Sequence, residues 1–118
     1  MPHRPKQEAR ALSAYRIVWI MALFDLPVGT KPERTRATKF REFLLDEGFT
    51  MMQFSCYIRF SGGKEYADAV TRRVGKACPK SGKVDVIWFT DKQYTNIRTF
   101  RGTNRDPKPP KPDQLTLF

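Results

Sequence analysis

Asp25 is the side chain best placed to do chemistry in this chain. It closes an unbroken apolar run from Ile17 to Phe24, and Leu26 and Pro27 follow it. Proline lacks the N–H that a sheet ladder needs, so the strand ends there. A carboxylate at the mouth of a buried strand is a position for a metal ligand or a general base. The competing reading is local: aspartate also accepts backbone N–H bonds in turns, here within Leu26–Gly29.

Cationic side chains form the second group. Arg34, Arg36, Lys39 and Arg41 follow Asp25 closely, and Arg72, Arg73 and Lys76 make a second cluster. As phosphate contacts they would position a nucleic acid without reading its sequence. As a solvated helix face they would pair with Glu33, Glu42 and Asp46. Ser55, Tyr57 and Arg59 alternate with period two, so one strand face would carry all three towards the Asp25 site or a nucleic acid; Tyr57 alternatively packs in a dimer interface with its hydroxyl satisfied. His3, Cys56 and Cys78 complete the reactive inventory. No second Cys or His stands at metal-finger spacing, and no histidine lies near either thiol to activate it.

The elements that must hold these groups follow from periodicity. Residues 15–24 read as a strand apolar on both faces, with Val18, Ile20, Ala22 and Phe24 on one side and Ile17, Trp19, Met21 and Leu23 on the other. Asp25 belongs to the Trp19 side. Thr30-Lys-Pro-Glu33 is a capping box with proline in the first turn, opening a helix that Gly48 ends. Its inward stripe is Ala37, Phe40, Phe43 and Leu44. Residues 49–60 are extended, with 50–53 pairing or bulging against the strand after it. A second helix spans 64–76, with Tyr66, Ala69, Val70 and Val74 inward, and 84–89 is a strand apolar on both faces. Thr90 and Asp91 cap a turn or short helix, and 97–101 reads as a further strand. Residues 1–13 are a polar leader; 14–102 form the domain; 103–118 are a proline- and lysine-rich linker ending in a short apolar docking tail, alternating as an added edge strand does.

Bulk properties bound the function. The chain has 118 residues, 22 Lys and Arg against 12 Asp and Glu, and a net charge of +10. That excess favours a polyanionic partner, nucleic acid before an anionic membrane. The apolar run is too short to span a bilayer and lacks a cleavage pattern, so a cytoplasmic protein without membrane association is expected. The order β-α-β-β-α-β is the ferredoxin-like α+β unit. Two helices cover one face of its sheet, and the Trp19–Met21–Leu23 face then demands a face-to-face homodimer.

These residues together resemble a family, the small CRISPR-associated adaptation subunit that partners the CRISPR integrase. The shared pattern is Phe24-Asp25-Leu26-Pro27, the helix ending Leu45-Asp-Glu-Gly-Phe49, and Gln53-x-Ser55-x-Tyr57. Thr90-Asp-Lys-Gln-Tyr94 and the terminal Gln114-Leu-Thr-Leu-Phe118 are similar to the branch that accompanies large single-effector nucleases. The resemblance implies a homodimer that bridges integrase dimers and supports double-stranded DNA for integration as a new spacer, with the terminal tail docking the integrase. It also implies magnesium-dependent cleavage of single-stranded RNA or double-stranded DNA. Asp25 is then both catalytic residue and Mg2+ ligand, paired with the same residue of a second protomer. Arg34, Arg36, Lys39, Arg41, Arg59, Arg72 and Arg73 become the nucleic-acid contacts.

The alternative is a stand-alone ribonuclease or RNA-binding module on the same fold. Such a sheet exposes stacking aromatics on an otherwise polar face. The continuous apolar face expected here suits dimerisation better.

Overall fold

The computed structural model describes residues 16–102. The leader 1–13 and the linker and tail 103–118 lie outside the described residues. Four antiparallel strands and three helices follow in the order β1 (Ile17–Asp25), α1 (Lys31–Asp46), β2 (Thr50–Gln53), β3 (Cys56–Phe60), α2 (Lys64–Ala77), β4 (Lys83–Thr90) and α3 (Asp91–Thr95). The sheet order is β2-β3-β1-β4. β1 is therefore central, as its two apolar faces require.

The helices begin and end where local chemistry dictates. Thr30 accepts from the Glu33 amide while Glu33 accepts from the Thr30 amide, a complete capping box with Pro32 in the first turn. Gly48 follows α1 at φ +93°, a left-handed conformation that glycine adopts without a Cβ penalty. The core lies between the helices and one sheet face: Ile20, Ala22 and Phe24 of β1 pack with Phe40, Leu44, Phe49, Tyr57, Ala67, Val70 and Val74. Each large apolar side chain here gains about 1.5–3 kcal/mol over an exposed one. Trp88 lies on this side too, its Nε1–H donating to the Thr71 hydroxyl at 2.9 Å.

Strand register assigns the opposite face. Trp19 stands opposite Phe60 and Phe89, Met21 opposite Ile58 and Ile87, and Leu23 opposite Cys56 and Asp85. Directly opposed residues share a face. No described helix other than α3 lies over this one. α3 covers its Trp19 end: Tyr94 stacks on Trp19 at 4.1 Å between centroids, and Trp19 Nε1–H donates to Asp91 at 3.0 Å. The rest of the face stays open, with Phe60 58% and Ile87 44% exposed.

Three expectations are corrected. No strand forms at 97–101. The Thr90–Gln93 capping box turns the chain over the open face, where Ile97 joins Met21, Ile87 and Phe89, instead of along a sheet edge. Tyr57 is not on the open face: it is opposite Ala22, 5% exposed, with its ring against Phe24 in the helix-covered core. The inward stripe of α2 is Ala67, Val70 and Val74, whereas Tyr66 is half-exposed and meets Arg59.

Candidate functional site

Asp25 is exposed at the last position of β1, opposite Lys83 of β4. Its carboxylate makes no hydrogen bond or ion pair among the described residues, so the turn-bonding reading is not realised. It opens instead into a cleft of about 360 Å³ lined by Leu23, Gln53, Phe54, Ser55, Cys56, Lys83 and Asp85. One wall is the β2–β3 hairpin. Ser55 there holds φ +60°, unusual for a residue with a side chain, and its carbonyl accepts from the Phe24 amide at 3.0 Å. That bond ties the hairpin to the end of β1. The other wall is the start of β4, where Lys83 Nζ lies 3.4 Å from Asp85 Oδ2.

The donor set suits a hard cation. Asp25, Asp85, Gln53 and Ser55 offer oxygen, which magnesium prefers, and magnesium tolerates few protein ligands because it keeps water. Burial pushes the Cys56 thiol up, which disfavours the thiolate. Among the described residues no three His, Cys, Asp or Glu side chains converge on a metal position. One chain thus fits magnesium in kind of ligand and falls short in number, as a centre completed by a second copy would.

The expected phosphate contacts divide into two groups. Arg36 and Lys39 are exposed on α1 and make no hydrogen bond or ion pair among the described residues. Lys31, Arg34 and Lys39 line one side of a shallow groove of about 340 Å³ along that helix. Arg34 turns back to the Val28 and Gly29 carbonyls at 3.2 and 3.4 Å, and Arg41 donates to Thr38 at 3.1 Å. Arg72 pairs with Asp68 one turn away at 2.6 Å. Arg59 and Arg73 are drawn into a structural cluster. Arg73 binds both Glu47 carboxylate oxygens, at 2.7 and 2.9 Å, while Arg59 donates to the Glu47 carbonyl and, at 2.8 Å, to the Tyr66 hydroxyl. Its guanidinium also lies 4.8 Å over the Tyr66 ring. These arginines lock the end of α1 to β3 and α2, with Arg59 on the helix-covered face rather than beside Asp25.

Gln53, Phe54, Lys83 and Asp85 were not expected at the site. Lys83 and Asp85 open β4 with period two, which puts them on one face, but nothing local in the sequence says that this strand lies beside Asp25.

A family model described as CRISPR associated protein Cas2 matches residues 18–97. The chain belongs to the Cas2 family. Cas2 relatives cover nearly all of it. The protein from Paracidovorax avenae named CRISPR-associated endoribonuclease Cas2 is 49% identical over 107 residues, spanning 91% of this chain and 99% of its own. The protein of the same name from Flavobacterium psychrophilum is 43% identical, over 91% of this chain and 93% of its own. The crystal structure of Streptococcus pyogenes Cas2 superimposes with a TM-score of 0.55 at 13% identity, covering 70% of this chain and 99% of that one, and shows the shared fold. Among the described residues no helix is long and apolar enough to cross a membrane.

Proposed function

We propose that this Cas2 chain is a homodimeric CRISPR adaptation subunit that bridges integrase dimers, supports double-stranded DNA for spacer integration, and carries a magnesium-dependent endonuclease centre at Asp25. The observation that carries this reading is the setting of Asp25: an exposed carboxylate, without a partner among the described residues, at the rim of an uncovered apolar face. A second copy laid on that face covers Met21, Ile58 and Ile87 and brings its own Asp25 to the same rim. Magnesium, when bound, supplies Lewis acidity and a more acidic water.

The protein's own residues do the rest. The two Asp25 carboxylates hold the charge of the site, and Arg36 and Lys39 bind phosphates without selecting sequence. The net charge of +10 supports a nucleic-acid partner, and the relatives' name, endoribonuclease, supports RNA as a further substrate. Thr90–Tyr94 and the Gln114–Phe118 ending favour the branch that accompanies single-effector nucleases, with the terminal tail docking the integrase.

Asp25→Asn tests this reading, because it keeps the side chain's size and removes the charge a hard cation needs. Magnesium-dependent cleavage should fall to background, while the dimer and its integrase complex persist and cells still acquire spacers. Loss of acquisition with protein level and complex unchanged would make chemistry at Asp25, and not scaffolding, the cellular function.

A further inference from the structure

Three charged side chains share the open face at one end of the sheet. Asp25 stands directly opposite Lys83 in the β1–β4 ladder and Leu23 directly opposite Asp85, so Lys83 has one carboxylate across the ladder and another along its own strand. Its ammonium goes to Asp85, at 3.4 Å, and Asp25 is left without an ion pair among the described residues. We propose that Asp85 is a positioning residue for the Asp25 centre: it draws the Lys83 ammonium aside and so keeps the Asp25 carboxylate open to a divalent cation. The inference rests on Asp25 being the metal ligand and adds what holds that ligand ready.

Without Asp85 the ladder would favour the other pairing. Directly opposed side chains have Cβ atoms about 4.5–5.5 Å apart, whereas residues two apart on one strand are about 6.5 Å apart. Opposite charges across a ladder attract, so Lys83 would become a resident counter-ion of Asp25 that a metal must displace. The backbone cannot relieve this by drifting apart. Gly82, just before Lys83, passes so close to Leu26 that a Cβ there would collide with that side chain, and its amide donates to the Pro79 carbonyl at 2.9 Å. The start of β4 is thereby packed against the residue that follows Asp25, and the Asp25–Lys83 juxtaposition is a fixed feature of the fold.

The two carboxylates therefore differ in role although they line one cleft. Asp85 is committed to Lys83. Asp25 keeps its full charge towards the cleft, where Gln53 and Ser55 add oxygen of the kind magnesium accepts. The Lys83 and Asp85 side chains are 73% and 59% exposed, so their attraction is the modest one of a surface ion pair. Its effect on cation affinity is accordingly a few-fold one, distinct from the direct pull of the Asp85 charge on any cation in the cleft.

Manganese, which takes the same oxygen ligands as magnesium and is paramagnetic, is the probe. Free Mn2+ is followed by electron paramagnetic resonance during titration of the full-length protein, with no nucleic acid and no turnover. Asp85→Asn should weaken Mn2+ binding when Lys83 is present, and the same substitution should cost about two- to fivefold less in a Lys83→Gln background. The direct pull of the Asp85 charge is lost in both backgrounds, so the difference between the two losses reads its action through Lys83. A crystal structure of Asp85→Asn should show the Lys83 ammonium at Asp25. Equal losses in the two backgrounds, no loss in either, or a Lys83 ammonium still away from Asp25 in that variant would overturn the positioning role. Any of these, with Asp25→Asn unable to bind Mn2+, leaves the proposed centre standing. A wild-type protein that binds no Mn2+, or an Asp25→Asn variant that binds it undiminished, would remove the centre and this inference with it.

Discussion

Glu47 is the residue on which most of the inter-element polar bonding converges. It accepts three charged hydrogen bonds from Arg73, lies 3.9 Å from Arg59, and offers its carbonyl to Arg59 as well. The Arg73 hydrogen bond outweighs the upward push of burial and, helped by the charges of Arg73 and Arg59, holds its carboxyl below the ordinary value near 4.5. The folded protein therefore releases this proton more readily than the unfolded chain does. The stabilisation is fully present above about pH 4.5 and is lost as the pH falls through the lower folded value. Glu47→Gln should cost about 1–3 kcal/mol in urea unfolding at pH 7 and progressively less under acid. A penalty that persists unchanged at pH 3 would mean that packing, and not the charge, is what Glu47 supplies.

Among the elements, α3 depends most on its surroundings. At five residues it is far too short to be helical alone. The Thr90–Gln93 capping box satisfies its first donors, and the Tyr94–Trp19 stack with the Asp91–Trp19 bond fastens it to the sheet. Tyr94→Ala should release α3, expose Trp19 and shift tryptophan emission to the red. Trp88, hydrogen-bonded to Thr71 on the other face, should not respond. The β1–β4 ladder does not pass through Tyr94, so far-ultraviolet dichroism should keep its strand signal. Unshifted emission would show that α3 is held by its cap and not by the stack.

At the scale of the molecule, the open apolar face and the basic surface make separate predictions. Ile87 lies at the centre of that face and is exposed in the single chain, so Ile87→Asp should leave the protomer folded. Each protomer of a dimer would instead bury an uncompensated charge, weakening association roughly a hundredfold or more in sedimentation. A dimer of undiminished affinity would place the interface elsewhere. For duplex DNA, affinity should fall steeply with salt, and Arg36→Ala with Lys39→Ala should flatten the slope by about 2 if each contacts one phosphate. Arg34 and Arg41, already engaged by α1 and the turn before it, should matter less in the same titration. Equal effects from the two pairs would mean that DNA displaces those internal bonds.

Much of this protein was legible from short-range pattern. The two-sided apolar run located the central strand, the Thr30–Glu33 box and Gly48 bounded α1, and the order of elements named the ferredoxin-like unit. The place of Asp25 at the end of β1 was legible because a strand end is a local fact. Its neighbours were not, since Lys83 reaches Asp25 only through the register of β1 with β4, strands far apart in sequence. The face chosen by Tyr57 was equally hidden. Period two says that Tyr57 and Ile58 part company, but which of them meets the helices depends on how β3 registers against Ala22 and Met21. Charge was readable as a total but not by role: Arg36 and Lys39 stand clear while Arg59 and Arg73 close on Glu47, because helix packing alone brings that carboxylate within reach. Spacing along the chain determined the elements; only tertiary contact decided which side chains share a site.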